Sequence, residues 1–425
     1  MPTLQVNNLL RSDIRRARRG HLALSFIAHF YLHSQGPALK APAPVKSWRD
    51  MIFGARTSEP TLEERLAAEE ADGTHLDKIP ASISVPWIQL SQLLGIPPIL
   101  TYSTTVLWNW ALIDPTRGIS PQNVRMVQTF TGSESEKHFY LTSLLIEMHG
   151  VEALALMRRS LDEIFIGDNL AARRCTEHLF RLAKVIGALT QVLAKVRDHC
   201  DPAEFYWKIR PWFRGADASA NERGWHYEGV DPVGTRRHLG GPSAGQSSLI
   251  HAIDIFLDVD HTRAKTRLRE RQIRPDSLPA SDATFMERMS FYMPKHHRHF
   301  LRHLRTLSFE DLDTPSMAAV ADQDGEQPSD HPVRAFVLGR LGTDEELSQA
   351  YDAALMALKA LRDEHMRIAA QYIISQARKH QVKPANPPDG ASQKEPEFRG
   401  TGGTDLVLFL RDCRANTLDA TVNEH

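Results

Sequence analysis

Apolar side chains recur along most of this chain at three- and four-residue intervals, the period of helices buried along one face, while alternating strand-like runs are scarce. The pattern predicts an all-α fold. Ser133-Glu134-Ser135-Glu136 has the Ser-x-x-Glu form of a capping box and opens a run from Phe139 through Leu156. A second helix is expected from about Ala171 to His199, with Leu182, Ile186, Leu189 and Leu193 on one face. Asp201-Pro202 starts a third, since Asp suits the N-cap and Pro the first turn, and Ala203 to Phe213 then carries five aromatic residues. The longest pattern, Asp344 to Lys379, places Leu347, Tyr351, Leu355, Leu358, Leu361 and Ile368 on one stripe. His365 falls on the same stripe.

Stretches rich in Pro, charge or small polar residues interrupt these helices at 37–77, 262–281, 314–331 and 380–399, with no repeat period. They suggest a small N-terminal domain over 1–130 with an insertion at 37–77. A large helical domain follows over 131–425, with a mobile loop at 380–404. The 51 basic and 52 acidic side chains nearly cancel, which leaves no global field to draw the chain onto nucleic acid. A small molecule is the expected partner. Three widely separated cysteines exclude a disulfide framework and a zinc spacing, and point to a reducing compartment, taken as the cytoplasm. No apolar run reaches the roughly 18 to 20 residues of a membrane span. The Arg-rich start before Leu22–Leu32 reads either as a mitochondrial presequence or as the beginning of a core helix.

His365 is the outstanding chemical candidate. An imidazole on an apolar helix face is either a hydrogen-bonded core residue or a metal ligand, and periodicity leaves both open. His296, His297, His299 and His303 lack the acidic partner of a His-Glu-x-x-His arrangement and read as a basic surface patch. Gly240 to Ser248 could bind an anion through free backbone N–H groups. It lacks the Gly-Lys-Ser/Thr ending of a nucleotide loop.

Several ordered segments resemble the indoleamine 2,3-dioxygenase family: EKHFYLTSLLIE (136–147), FYWKIRPWFRG (205–215), YEGV (227–230), GPSAGQSS (241–248), Tyr292-Met293-Pro294 with Arg298, and GTGGTD (400–405). Ser84-Val85-Pro86-Trp87 and Pro97-Pro98-Ile99-Leu100 also fit, so the likeness covers most of 80–418. It implies haem b with ferrous iron and O2 as co-substrate. The implied reaction inserts both oxygen atoms across the indole C2–C3 bond of L-tryptophan, giving N-formylkynurenine, at the head of the kynurenine route towards NAD.

By resemblance, His365 is the iron ligand, with a neighbouring acceptor expected on its other ring nitrogen. Phe139 and Ser143 border the oxygen and indole side of the haem; without the motif they would read as a core Phe and a helix-interior Ser. Phe205 and Tyr206 pack on the indole, and Arg210 grips the substrate carboxylate through the paired donors that a guanidinium offers. Residue type alone equally allows Arg210 an ion pair at a helix end. Tyr102, Thr105 and Val106 form the inner wall, while Gly241, Ser243, Ala244 and Gly245 lie beside haem and substrate. Thr401 closes over the substrate on a lid, unless 380–404 is simply a connection.

Relatives usually carry further helices ahead of Arg15–His33, so either the small domain is reduced or this chain begins late. Many relatives also have Phe where Tyr206 stands, which keeps open a different indole in secondary metabolism or a weakly active haem-binding paralogue. A monomer is expected.

Overall fold

The structure is a computed structural model that describes residue 6 and residues 12–34, 77–216, 224–261, 285–307, 331–379 and 406–423. Most of the described residues are helical: α1 (Ile14–Ser34), α2 (Ala81–Leu94), α3 (Glu134–His149), α4 (Val151–Ile166), α5 (Ala171–Ala194), short turns over 196–213, α6 (Ser248–Phe256), α7 (Phe285–Phe291), α8 (Lys295–Thr306), α9 (Pro332–Leu338), α10 (Glu345–Ala369, prolonged to Lys379) and α11 (Leu406–Asp419). Two small two-stranded pairings, Lys78–Ile79 with His226–Tyr227 and Trp110–Leu112 with Val124–Met126, complete it. The insertion at 37–77, apart from Asp77, and the loop at 380–404 lie outside the described residues.

The caps predicted at Ser133 and Asp201 form, and Asp344 adds a third. Ser133 Oγ accepts from the Glu136 N–H at 3.2 Å, Asp201 Oδ1 from the Glu204 N–H at 2.7 Å, and Asp344 Oδ1 from the Leu347 N–H at 3.1 Å. The capping box is only half made, because the buried Glu136 carboxylate instead accepts the Phe130 and Thr131 N–H groups. The run read from Phe139 through Leu156 is two helices, not one, broken at Gly150. Gly150 packs against a residue distant in sequence: a Cβ there would lie 2.1 Å from Leu249 Cδ2. Glu134–Ile166 is also long and apolar enough to cross a membrane by length and composition, which qualifies the sequence expectation. Here Ala153, Leu156, Met157 and Ile164 pack into the core.

The largest apolar cluster joins α4, α5, α6 and α10: Leu347, Tyr351, Leu355 and Leu358 are fully buried against Leu182, Ile186 and Leu189. Each such side chain contributes roughly 1.5–3 kcal/mol, and the Tyr351 hydroxyl is satisfied by the Leu257 carbonyl at 2.6 Å. A second cluster joins α1 and α2 to Trp225, Tyr227 and Tyr292. A third brings Leu22, Phe26 and Leu100 together with Tyr140, Phe205, Phe213, Ile368 and Tyr372. Apolar packing therefore crosses residue 130 continuously.

The stretch from Leu22 to Leu32 is core helix. His29 Nδ1 donates to the Trp212 carbonyl at 2.9 Å while its Nε2 accepts the Leu100 N–H at 3.2 Å, tying three segments to one ring. His21 lies 3.0 Å from Ser91 Oγ, and the Trp87 indole donates to Ser25. Burial lowers the pKa of His21 and His29 to about 3 and that of His251 to about 4. These rings stay neutral in the folded state, whereas unfolded histidine titrates near 6.5. Between those values the unfolded chain holds more protons, so stability falls as pH drops, by up to about 1.4 kcal/mol per pH unit for each ring. Thermal melts should show a midpoint declining steadily below about pH 6.5. A flat profile would mean that these imidazoles protonate without unfolding.

Candidate haem and substrate site

His365 stands where two apolar clusters meet, one turn beyond Leu361 of the first and three residues before Ile368 of the third. Protein encloses it, and burial first, then the positive charge of Arg362, lowers its pKa, so the ring is neutral near pH 7. Yet the side chain keeps accessible surface and makes no hydrogen bond among the described residues. The acceptor expected on its second nitrogen is thus not supplied by a described residue. A neutral imidazole inside the protein, with accessible surface and free of hydrogen bonds to described residues, has the donor chemistry that haem iron takes, and the pairing fits.

Arg362, one turn before His365, anchors this stretch of α10. Its guanidinium pairs with Asp254 Oδ1 of α6 at 2.5 Å and donates to Thr417 of α11, while His261 meets the other Asp254 oxygen at 3.0 Å.

α3 bridges the same junction: Phe139 and Tyr140 pack in the third cluster, Ile146 against the first. Phe139, Ser143 and Glu147 repeat at four-residue spacing and are all half-buried, so one face of the helix borders internal space. Phe139 meets Phe205 with ring centroids 4.7 Å apart, and Phe205 meets Tyr372 at 5.8 Å, which links this face to the helix carrying His365. Among the described residues, the Ser143 hydroxyl has only a long bond back to the Phe139 carbonyl, 3.4 Å. Tyr206 is half-buried, and Arg210 sits with its guanidinium carbon 5.5 Å from the centre of the Tyr206 ring. Burial lowers the Arg210 pKa, with Tyr206 opposing the shift and Arg214 adding to it. Guanidinium remains charged at any working pH.

Tyr102, Thr105 and Val106 are buried on a wide π-type turn, Ser103–Leu107. The turn is held from two sides. The Tyr102 N–H donates to Gln246 Oε1 at 2.8 Å, and Gln246 Nε2 donates to the Gly241 carbonyl at 2.8 Å. Glu147 Oε1 accepts both the Tyr102 hydroxyl, at 3.0 Å, and the Ser247 hydroxyl, at 2.6 Å. Burial raises the Glu147 pKa against these two hydrogen bonds. Gly241 must be glycine, because a Cβ there would lie 1.8 Å from the Phe213 carbonyl oxygen. Ser243 caps the following turn by accepting the Gly245 N–H at 3.2 Å, and Ala244 is exposed. Thr401 and the rest of 400–405 lie outside the described residues.

The sequence reading therefore anticipated residues that the fold links in three groups: Phe139 with Phe205, Tyr206 with Arg210, and Tyr102 with the loop at 241–247. It missed Glu147 and Gln246, which join the last two elements. Glu147 was legible as the one carboxylate after Glu136 in its helix, four residues beyond Ser143. Of the remaining motifs, Arg298 and Tyr292 serve the scaffold: Arg298 donates to the Gly95 and Met293 carbonyls, and the Gly240 N–H donates to the Tyr292 hydroxyl.

A family profile described as indoleamine 2,3-dioxygenase matches residues 1–420. Among individual proteins, the chain is 29% identical to the indoleamine 2,3-dioxygenase of Saccharomyces cerevisiae, over 98% of this chain and 81% of that one. It is 30% identical to indoleamine 2,3-dioxygenase 1 of Mus musculus, over 81% and 74% of the two chains. Mouse indoleamine 2,3-dioxygenase 2 is 31% identical over 83% of this chain and 75% of its own length.

Proposed function

Because this chain belongs to the indoleamine 2,3-dioxygenase family, we propose that it is a haem-dependent dioxygenase that converts L-tryptophan to N-formylkynurenine with His365 on the iron. The observation that carries the reading is the enclosed imidazole of His365, neutral and without a hydrogen bond to any described residue. Bound haem supplies the activation of O2; orientation, carboxylate binding and exclusion of water fall to the chain.

In this reading Arg210 takes the substrate carboxylate through two parallel N–H donors. Phe139 and Phe205 give the indole a flat apolar wall, and the backbone of 241–245 approaches closely where side chains are small or absent. Glu147 acts one step back, holding Tyr102 and Ser247 so that the wall keeps its shape. No side chain has to abstract a proton, in keeping with an α3 face whose polar groups are the Ser143 hydroxyl and a Glu147 carboxylate already taken by Tyr102 and Ser247. The proposal extends to a cytoplasmic monomer; the three cysteines, buried as free thiols, suit a reducing compartment.

The test is turnover of L-tryptophan by haem-loaded protein with a reductant, alongside Arg210→Ala. A lost charge-assisted pair costs about 1.5–3 kcal/mol, so kcat/KM should fall roughly 10- to 100-fold while the Soret band is unchanged. An unchanged kcat/KM would remove Arg210 from carboxylate binding. Tyr206, whose ring faces Arg210, favours one alternative, an indole other than tryptophan. Tryptamine, which lacks the carboxylate, turning over as well as L-tryptophan would support it.

A further inference from the structure

A cavity of about 260 Å³ lies between α1, the end of α2 and the start of α8. Leu93, Leu94 and the Trp108 indole form an apolar side, while the Arg18 guanidinium, Lys295 and the imidazoles of His296 and His299 form a polar one. Among the described residues no carboxylate lines it, and Asp13 at the head of α1 is already paired with Arg16 at 3.2 Å. Burial and then Arg15 lower the Arg18 pKa, and burial followed by Arg18 and His299 lowers that of His296, which is thus a neutral imidazole beside the Arg18 guanidinium. Arg18 lies 5.5 Å from the Trp108 ring centre, and its buried Nε has no hydrogen-bond partner. The first turn of the twelve-residue helix α8 opens here with no side-chain cap, adding its positive end. The walls are rigid, since Arg298 clamps the carbonyls of Gly95 and Met293 on the two sides of the cavity.

We propose that this cavity is a binding site for a small aromatic carboxylate, separate from the site around His365. The carboxylate lies against Arg18, His296 and the α8 N-terminus, and the ring stacks on Trp108 over Leu93 and Leu94. The volume, just below the roughly 300–1,000 Å³ of pockets for drug-sized ligands, suits a molecule of one or two rings. A guanidinium already facing an indole gains a counter-ion without losing its ring contact.

The test uses the full-length, haem-loaded protein and titration calorimetry with 2-naphthoate, with the uncharged 2-naphthamide and inorganic phosphate as comparisons. Naphthoate should bind about tenfold more tightly than either, which tests for both charge and ring. Arg18→Gln should weaken it about tenfold with the Soret band unchanged. Leu93→Asp, at a position 40% exposed and so tolerant of a charge, should do the same by placing an anion at the apolar wall. Saturating L-tryptophan should not displace the probe. Equal binding of the amide or of phosphate, indifference to both substitutions, or displacement by L-tryptophan would each overturn the proposal.

Discussion

His365→Ala yields a folded protein that does not retain haem. The side chain is half-buried and carries no hydrogen bond to a described residue, so its removal leaves no orphaned polar partner among them and should leave the helical circular dichroism intact. Losing a residue that only supports a metal ligand costs roughly 10- to 100-fold in affinity, and losing the ligand itself costs more. The measurement is Soret absorbance per mole of protein after reconstitution and gel filtration. Free imidazole should restore the band in the variant, since the truncated side chain leaves room for it. Full haem retention without imidazole would assign the iron to another residue.

Asp254→Ala should be the most destabilising single change in the network behind that histidine. It leaves the Arg362 guanidinium, 9% exposed, without its carboxylate, and breaking one side of such a buried pair costs about 3–5 kcal/mol. Arg362→Met in the same chain should recover part of the loss, because the stranded charge is then gone. Denaturant unfolding of the two variants decides this; equal stability of Asp254→Ala and the parent would make the pair dispensable. Burial works to raise the Asp254 pKa, but Arg362 and then His261 outweigh it and leave it lowered to about 2. Its contribution is present above the unfolded value near 3.9 and is lost as pH falls towards 2.

Local sequence rules located the helices and the caps at Ser133 and Asp201, because each acts on an N–H three residues away. They did not locate the break at Gly150, where the backbone lies close against Leu249, far along the chain. Nor did they signal the three wide turns at Ser103–Leu107, Phe205–Ile209 and Ala370–Ile374, although Thr105, Val106, Phe205 and Tyr206 lie on two of them. Such turns carry no compositional mark and often lie at functional sites. Periodicity showed that His365 faces inward but could not tell a satisfied histidine from a ligand, since that depends on which atoms surround the ring. The order of motifs supplied the haem reading. The link from Tyr102 through Glu147 to Ser247 joins residues up to 145 positions apart and emerged only in the fold.

The most direct test of the central claim is mass spectrometry of the product formed from L-tryptophan by haem-loaded protein under oxygen-18 gas. A dioxygenase with His365 on the iron predicts N-formylkynurenine carrying both labelled atoms, and none from His365→Ala. A product with one labelled atom or none, or no product from protein that displays a Soret band, would contradict it.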